Sequence, residues 1–293
     1  MDFYTNVVQW GNFLLVRGVD KNQRVSFRLK YKPTLFVPVM KQTDWKTLDG
    51  KSVTPYQFDC IKDAKDFLLK YESQPHLVHG LNRFAYTYIS DTFPQKVNWN
   101  IDKLLIMTID IEVQCENGFP NPESAIEPLL SITVKDQQSK KIIVWGIQPY
   151  ENTRENVTYI RCPNEHDLIM EFMSFWTKNY PDVITGWNTD FFDIPYLANR
   201  IKQVCGEDKM RELSPWKNVS ARKIYSMGRN HLMYDIMGVS QYDYLQLYQK
   251  FTYTRQESYK LDYIASVELG EKKDENPYET FREWYEKDFQ SFI

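Results

Sequence analysis

Apolar and polar residues alternate over the first forty positions, and longer apolar runs follow further along the chain. Asn6 to Val16, Arg24 to Leu29 and Leu35 to Val37 are β-rich and read as strands, since strand side chains point to alternate faces. Ile61 to Tyr71 reads as a helix. Polar, turn-prone Asp91-Thr-Phe-Pro-Gln-Lys leads into Asn98-Trp-Asn-Ile-Asp, which sets a boundary between a first unit, residues 1–102, and a second, residues 103–293.

The second unit opens on an apolar stretch near 103–113: Leu104 to Met107, then Ile109, Ile111 and Val113, the pattern of a buried strand. Gly118-Phe119-Pro120-Asn121-Pro122 is a loop. The β-branched segments Leu129–Val134 and Lys141–Trp145, separated by polar Asp136-Gln-Gln-Ser-Lys, predict an antiparallel meander. Asn164 stands where it would cap a helix whose apolar residues, Leu168, Ile169, Phe172, Phe175 and Trp176, recur at steps of three and four. Pro181 to Gly186 reads as a short strand ending in Trp187-Asn188. A helix should begin between Asp190 and Asp193, with Pro195 tolerated in its first turn. Lys223 to Met233, with Met227-Gly228-Arg229-Asn230 at its tip, reads as a β-hairpin, and Gln241-Tyr-Asp-Tyr-Leu is strand-like. Tyr278 to Ile293, with Phe281, Trp284, Tyr285, Phe289 and Phe292 at helical spacing, predicts one terminal helix. This order of elements predicts an α/β domain with a mixed sheet.

Composition sets only broad limits. A chain of 293 residues, 42% hydrophobic and 15% aromatic, can build two cores. No apolar run reaches the roughly 18 residues that span a bilayer, and Met1-Asp2-Phe3-Tyr4 opens no signal peptide. The cysteines at 60, 115, 162 and 205 are scattered and read as reduced thiols of a cytoplasmic protein. His76 and His79 read as a loop pair. The net charge of −3 gives no global basic field, but Arg200 to His231 holds eight Lys or Arg against three acids. That stretch fits either a phosphate-tracking surface or a solvated face.

The chemistry lies in Thr-Ile-Asp110-Ile-Glu112-Val. Residues two apart on a strand share a face, so both carboxylates emerge together. Two such charges repel unless a cation lies between them, and a divalent ion with hard oxygen ligands is the natural counter-ion. Asp193, where a strand hands over to a helix, is the candidate third ligand; Asp190 or Asp193 would alternatively only cap that helix.

Thr-Ile-Asp110-Ile-Glu112-Val, followed by Thr185-Gly-Trp-Asn-Thr-Asp-Phe-Phe-Asp193-Ile-Pro-Tyr, resembles the first two exonuclease motifs of family B DNA polymerases, in the form found in T-even-type bacteriophages. Tyr31-Lys-Pro-Thr-Leu-Phe36 and Tyr88-Ile-Ser-Asp-Thr-Phe93 resemble that family's amino-terminal domain. Glu116-Asn-Gly-Phe-Pro-Asn-Pro-Glu and Ser258-Tyr-Lys-Leu-Asp-Tyr-Ile resemble its exonuclease domain.

The resemblance implies a β-rich α+β amino-terminal domain over 1–102. It implies an RNase H-like (DnaQ-like) α/β proofreading domain over 103–293 that removes nucleotides from a single-stranded or frayed DNA 3′ end. On it, Asp110, Glu112 and Asp193 are catalytic and ligate magnesium or manganese, two ions per complete site. Asp110 would bridge the two, Glu112 would help hold the first, and Asp193 would orient the second directly or through water. Phe119 would insert against bases of the frayed primer, Asn188 would lie near the terminal nucleotide, and the hairpin carrying Arg229 would contact DNA and help separate the strands. Asp243 is a supporting group. The family's third exonuclease motif, Tyr-x-x-x-Asp, is absent, Tyr285-Glu-Lys-Asp288 being one residue short, and no polymerase palm motif occurs.

The expectation is therefore an exonuclease domain incomplete at its carboxy-terminal end. A missing segment or second polypeptide would complete it, so that the chain alone would be a weak exonuclease working in the host cytoplasm with no membrane contact. A stand-alone DnaQ-like nuclease and a non-catalytic nucleic-acid-binding or assembly subunit are the competing readings.

Overall fold

The computed structural model describes residues 1–115, 118–226, 228–272 and 276–293, so Glu116, Asn117 and Met227, named above, lie outside the described residues. The chain divides into two compact units, Met1–Lys103 and Leu104–Ile293.

The first unit is built on an antiparallel three-stranded sheet, β1 (Phe3–Trp10), β2 (Phe13–Asp20) and β3 (Gln23–Lys30), in that order. The alternating stretch Asn6–Val16 is thus two strands. Gly11, with φ of +57°, opens the two-residue turn that sets Trp10 opposite Phe13. Lys21 and Asn22 form the next turn with φ of 48° and 64°, the paired positive values whose twist suits a tight hairpin. A second pair, β4 (Thr34–Pro38) and β5 (Val53–Gln57), follows, with α1 (Ile61–Lys70) and α2 (Phe84–Thr92). Leu14, Val16, Leu35, Ile61, Ala64 and Phe84 form the buried core. The polarity pattern gives no sign of α2, because Phe84, Tyr86, Thr87, Tyr88 and Ile89 are residue types that favour strands. His79 exchanges backbone hydrogen bonds with Phe36 at 2.8 Å, a structural placement for that member of the histidine pair.

The second unit carries a six-stranded mixed sheet in the order β13-β10-β6-β7-β8-β9. Strand β6 (Ile106–Val113) runs antiparallel to β7 (Leu129–Asp136), and β7 antiparallel to β8 (Ile142–Gly146), which is the predicted meander. β10 (Val183–Gly186) lies parallel to β6 on its other side, and β13 (Ser240–Asp243) parallel to β10. The edge strand β9 (Val157–Arg161) has no counterpart in the sequence reading; it is short and half-exposed, with little apolar signal. Asp182 accepts a hydrogen bond from the Leu105 N–H at 2.9 Å and so pins the start of β10 beside β6.

Helix α3 (Glu165–Lys178) begins at Asn164, whose side chain accepts from the Asp167 N–H at 2.9 Å. It buries Leu168, Ile169, Phe172 and Trp176 in one core with Ile109, Ile111 and residues of α4 (Asp193–Cys205). Arg200 of α4 ties the two helices together through both oxygens of Glu165, at 2.6 and 2.7 Å. The short α5 (Glu207–Arg211) leads to the hairpin of β11 (Val219–Ser226) and β12 (Arg229–Ile236), and α6 (Tyr244–Phe251) and α7 (Leu261–Leu269) follow. The expected terminal helix is two, α8 (Phe281–Lys287) and α9 (Phe289–Phe292). Asp288 interrupts it with φ of −146°, and its carboxylate accepts from the Ser291 N–H at 3.2 Å to start the second piece. All four cysteines are free thiols. No helix among the described residues is long and apolar enough to cross a membrane.

Candidate active site

β6 shows the alternation its sequence predicts. Met107, Ile109, Ile111 and Val113 are buried, whereas Asp110 is exposed and Glu112 half-buried on the opposite face. Both acids are held in the ladder with β7, Asp110 opposite Thr133 and Glu112 opposite Ser131, whereas the pairing of β6 with β10 ends at Thr108.

Asp193 reaches this strand from α4. Phe192 occupies the position before the helix and no side chain caps it, so Asp193 lies inside the first turn and neither it nor Asp190 serves as the cap. Its Oδ1 instead accepts a hydrogen bond from the backbone N–H of Ile111, the residue between Asp110 and Glu112, at 3.1 Å. Asp193 is 3% exposed. Burial raises its pKa well above the usual carboxylate range, and the charge of Asp110 and then that of Glu112 push the same way. Three acids therefore compete electrostatically within one small region.

The loop between β10 and α4 is held by a fourth acid. Asp243, 2% exposed, accepts from the N–H groups of Asn188 at 3.0 Å, Asp190 at 3.2 Å and Leu245 at 2.9 Å. It thereby caps α6 and supports the 188–190 turn, the secondary role anticipated for it. Asn188 takes a left-handed conformation, φ +64°, which asparagine tolerates better than most residues. Asp190 accepts from Gln246 Nε2 at 2.9 Å; burial, with the neighbouring Asp243 charge, pushes its pKa up to about 6. Gly186, at the end of β10, admits close approach: a Cβ there would lie 2.7 Å from the Ile109 carbonyl oxygen and against Thr189.

Phe119, Asn188 and Arg229 line one cleft of about 370 Å³, together with Phe191, Phe192 and His231. Phe119 is 79% exposed, its ring 4.8 Å from that of Phe192. The carboxylates are not among the cleft's lining residues; Asn188, Phe191 and Phe192 line it and lead directly into Asp193. The aromatic pair Phe191-Phe192 could have been singled out from the motif itself. His231 had no local signal, since only the hairpin register brings it to the cleft.

The basic stretch from Arg200 to Arg229 is largely neutralised by partners. Arg200 pairs with Glu165, Lys202 and Arg211 with Glu207, Lys209 and Lys217 with Glu212, Arg222 with Asp235, and Lys223 with Glu123. Three of these five acids, Glu165, Asp235 and Glu123, lie outside the stretch and so were invisible to a local charge count. The row of cations that would follow a phosphate backbone is therefore mostly a set of ion pairs, and Arg229 instead directs its Nε–H to His231.

As a donor set, Asp110, Glu112 and Asp193 offer the hard oxygens that suit a divalent ion, and their mutual repulsion favours one. Among the described residues, no group of three or more His, Cys, Asp or Glu is drawn together tightly enough to hold a metal. Asp110 and Glu112 share one face of β6, and Asp193 has one oxygen committed to the Ile111 N–H.

The model of the DNA polymerase family B exonuclease domain matches residues 81–264. The chain is 32% identical, over 96% of its length, to the DNA-directed DNA polymerase of Escherichia phage RB69, of which it covers 35%. It is 30% identical, over 95% of its length, to the DNA-directed DNA polymerase of Enterobacteria phage T4, of which it covers 34%. Over 62% of its length it is 29% identical to the DNA polymerase delta catalytic subunit of Candida albicans, covering 18% of that protein. The chain thus spans about a third of the length of the phage relatives it matches.

Proposed function

This chain belongs to the family B DNA polymerases, matched over their exonuclease domain, and we propose that it hydrolyses 3′-terminal nucleotides of a single-stranded or frayed DNA end as the proofreading portion of a phage-type polymerase. The observation that carries this reading is the bond from Ile111 to Asp193, which sets the third acid against the strand bearing Asp110 and Glu112. On this reading residues 1–102 are the family's amino-terminal domain, residues 103–293 belong to its RNase H-like exonuclease domain, and the protein works in the host cytoplasm.

Asp110 and Glu112 would hold a magnesium or manganese ion between them, and Asp193 would act through its second oxygen, directly or through water. Two bound ions would supply the activation of water and the stabilisation of the leaving 3′ oxygen that this chemistry needs. The chain's own residues do the rest. The exposed ring of Phe119 stacks on a base of the frayed end, a contact open to every base. The Asn188 amide hydrogen-bonds sugar or phosphate of the terminal nucleotide, at the head of the loop that Asp243 holds. Arg229 meets the phosphate backbone from the hairpin. A further carboxylate, from a segment or second polypeptide carrying the remaining exonuclease motif and the polymerase palm, would join these residues in holding the ions.

The test is digestion of a 3′-labelled oligonucleotide with magnesium or manganese, by the chain alone and with the completing segment added. Slow digestion that the segment accelerates, and that Asp110→Ala with Glu112→Ala abolishes, supports the proposal. Persistence of the rate in the double variant overturns the site assignment. The alternative reading is a non-catalytic nucleic-acid-binding or assembly subunit. That alternative would bind the oligonucleotide with magnesium-insensitive affinity and never shorten it, even when completed.

A further inference from the structure

His231 is a cleft residue whose chemistry none of the roles above uses. Across the β11–β12 hairpin it lies opposite Ile224, two residues from Arg229, and it is 8% exposed. Its ring packs on Phe191 with centroids 4.3 Å apart and planes 30° from parallel, which fixes the plane of the imidazole. Its Nε2 lies 3.3 Å from Arg229 Nε and 3.1 Å from the Ser226 carbonyl oxygen.

One ring nitrogen cannot serve both neighbours. A lone pair on Nε2 accepts from the Arg229 N–H, whereas a proton there donates to Ser226. The tautomer protonated on Nδ1 therefore holds Arg229, and the other tautomer releases it. An exposed arginine has several rotatable bonds and loses rotamer freedom when fixed. Holding Nε in advance reduces that loss while leaving the outer guanidinium N–H groups for a phosphate.

We propose that His231 is a positioning residue that orients the Arg229 guanidinium toward the cleft for a phosphate of the bound DNA strand. This rests on the nuclease reading above and adds to it a specific device: an aromatic platform, Phe191, carries the imidazole, and the imidazole aims the arginine.

Two variants test it. His231→Phe keeps a ring to pack on Phe191 and removes the nitrogen; His231→Gln loses the ring but sets an amide oxygen near the place of Nε2. The substrate is a single-stranded oligothymidylate, read by anisotropy for binding and by digestion with the completed protein. His231→Phe should raise Kd and KM about 3- to 10-fold, the loss falling on KM far more than on kcat, and His231→Gln should restore most of it. The effect should vanish in an Arg229→Ala background, as required if the two residues act as a unit. Wild-type affinity in His231→Phe, or an equal loss with and without Arg229, overturns the inference while leaving the nuclease reading intact. Failure of the unaltered protein to bind the oligonucleotide overturns the nuclease reading itself, and this inference falls with it.

Discussion

Asp193 accepts a hydrogen bond at 3.1 Å from the backbone N–H of Ile111, a residue whose own side chain is buried on the other face of β6. A peptide N–H in a central strand would ordinarily be used within its ladder. Here the helix-borne acid takes it, at the one position on β6 that has an acid on each side. The bond ties α4 to β6 and keeps a buried carboxylate beside two others, an arrangement that costs stability when all three are ionised and no cation is bound.

The first prediction concerns that cost. A carboxyl whose pKa is raised by folding contributes stability below its unfolded value, near 4, and loses it as pH rises through its folded value. Asp193→Asn keeps an oxygen acceptor for Ile111 and removes the charge. In metal-free buffer at pH 8 it should raise the Tm of this unit by about 2–4 °C per kcal/mol gained, with the gain absent at pH 4, and it should remove DNA hydrolysis. Calorimetry at the two pH values, paired with the digestion assay, decides it. A lower Tm at pH 8 would contradict the account.

Asp190 gives a second pH-dependent expectation, centred lower. Burial beside Asp243 pushes its pKa up to about 6, so the penalty for ionising it is absent below about pH 4 and complete above about pH 7. Asp190→Asn still accepts from Gln246. It should stabilise the chain by on the order of 1–2 kcal/mol at pH 8 and by nothing measurable at pH 4, after allowance for solvent screening. Urea unfolding at both pH values reads this directly.

Asn188 allows backbone and side-chain roles to be separated. Its φ of +64° suits glycine and strains alanine. Asn188→Ala should cost about 1 kcal/mol of stability relative to Asn188→Gly, while both lose the amide and with it a similar share of hydrolysis. If Asn188→Gly retains full activity, the amide has no part in holding the terminal nucleotide.

Phe119 should behave in the opposite way. At 79% exposure its removal leaves the core untouched, so Phe119→Ala should alter stability by less than about 0.5 kcal/mol. Affinity for single-stranded DNA should fall by about 1–3 kcal/mol, the value of one base stacked on an aromatic ring, and Phe119→Trp should keep it. Anisotropy titration of a labelled oligonucleotide distinguishes this from a phenylalanine that only packs on Phe192.

The period-two alternation of β6 was legible in the sequence because side-chain direction on a strand is a local property: Asp110 and Glu112 had to share a face once their neighbours were buried. The Asn164 cap, the β7–β8 meander and the hairpin were legible for the same reason, each depending on residues a few positions apart. α2 was hidden by strand-favouring residue types, β9 by weak polarity, and the break at Asp288 by an uninterrupted helical spacing of aromatics. What the tertiary structure alone decided was proximity between distant segments. Only the placing of β10 beside β6 brings Asp193 to Ile111, and only the same packing assembles Phe119, Asn188 and Arg229 around one cleft. It also decided the fate of the basic stretch, whose partners Glu165, Asp235 and Glu123 lie outside it. A Coulomb partner or a hydrogen-bond acceptor acts over a few ångströms in space, whatever its separation along the chain, and that is the quantity a linear sequence does not contain.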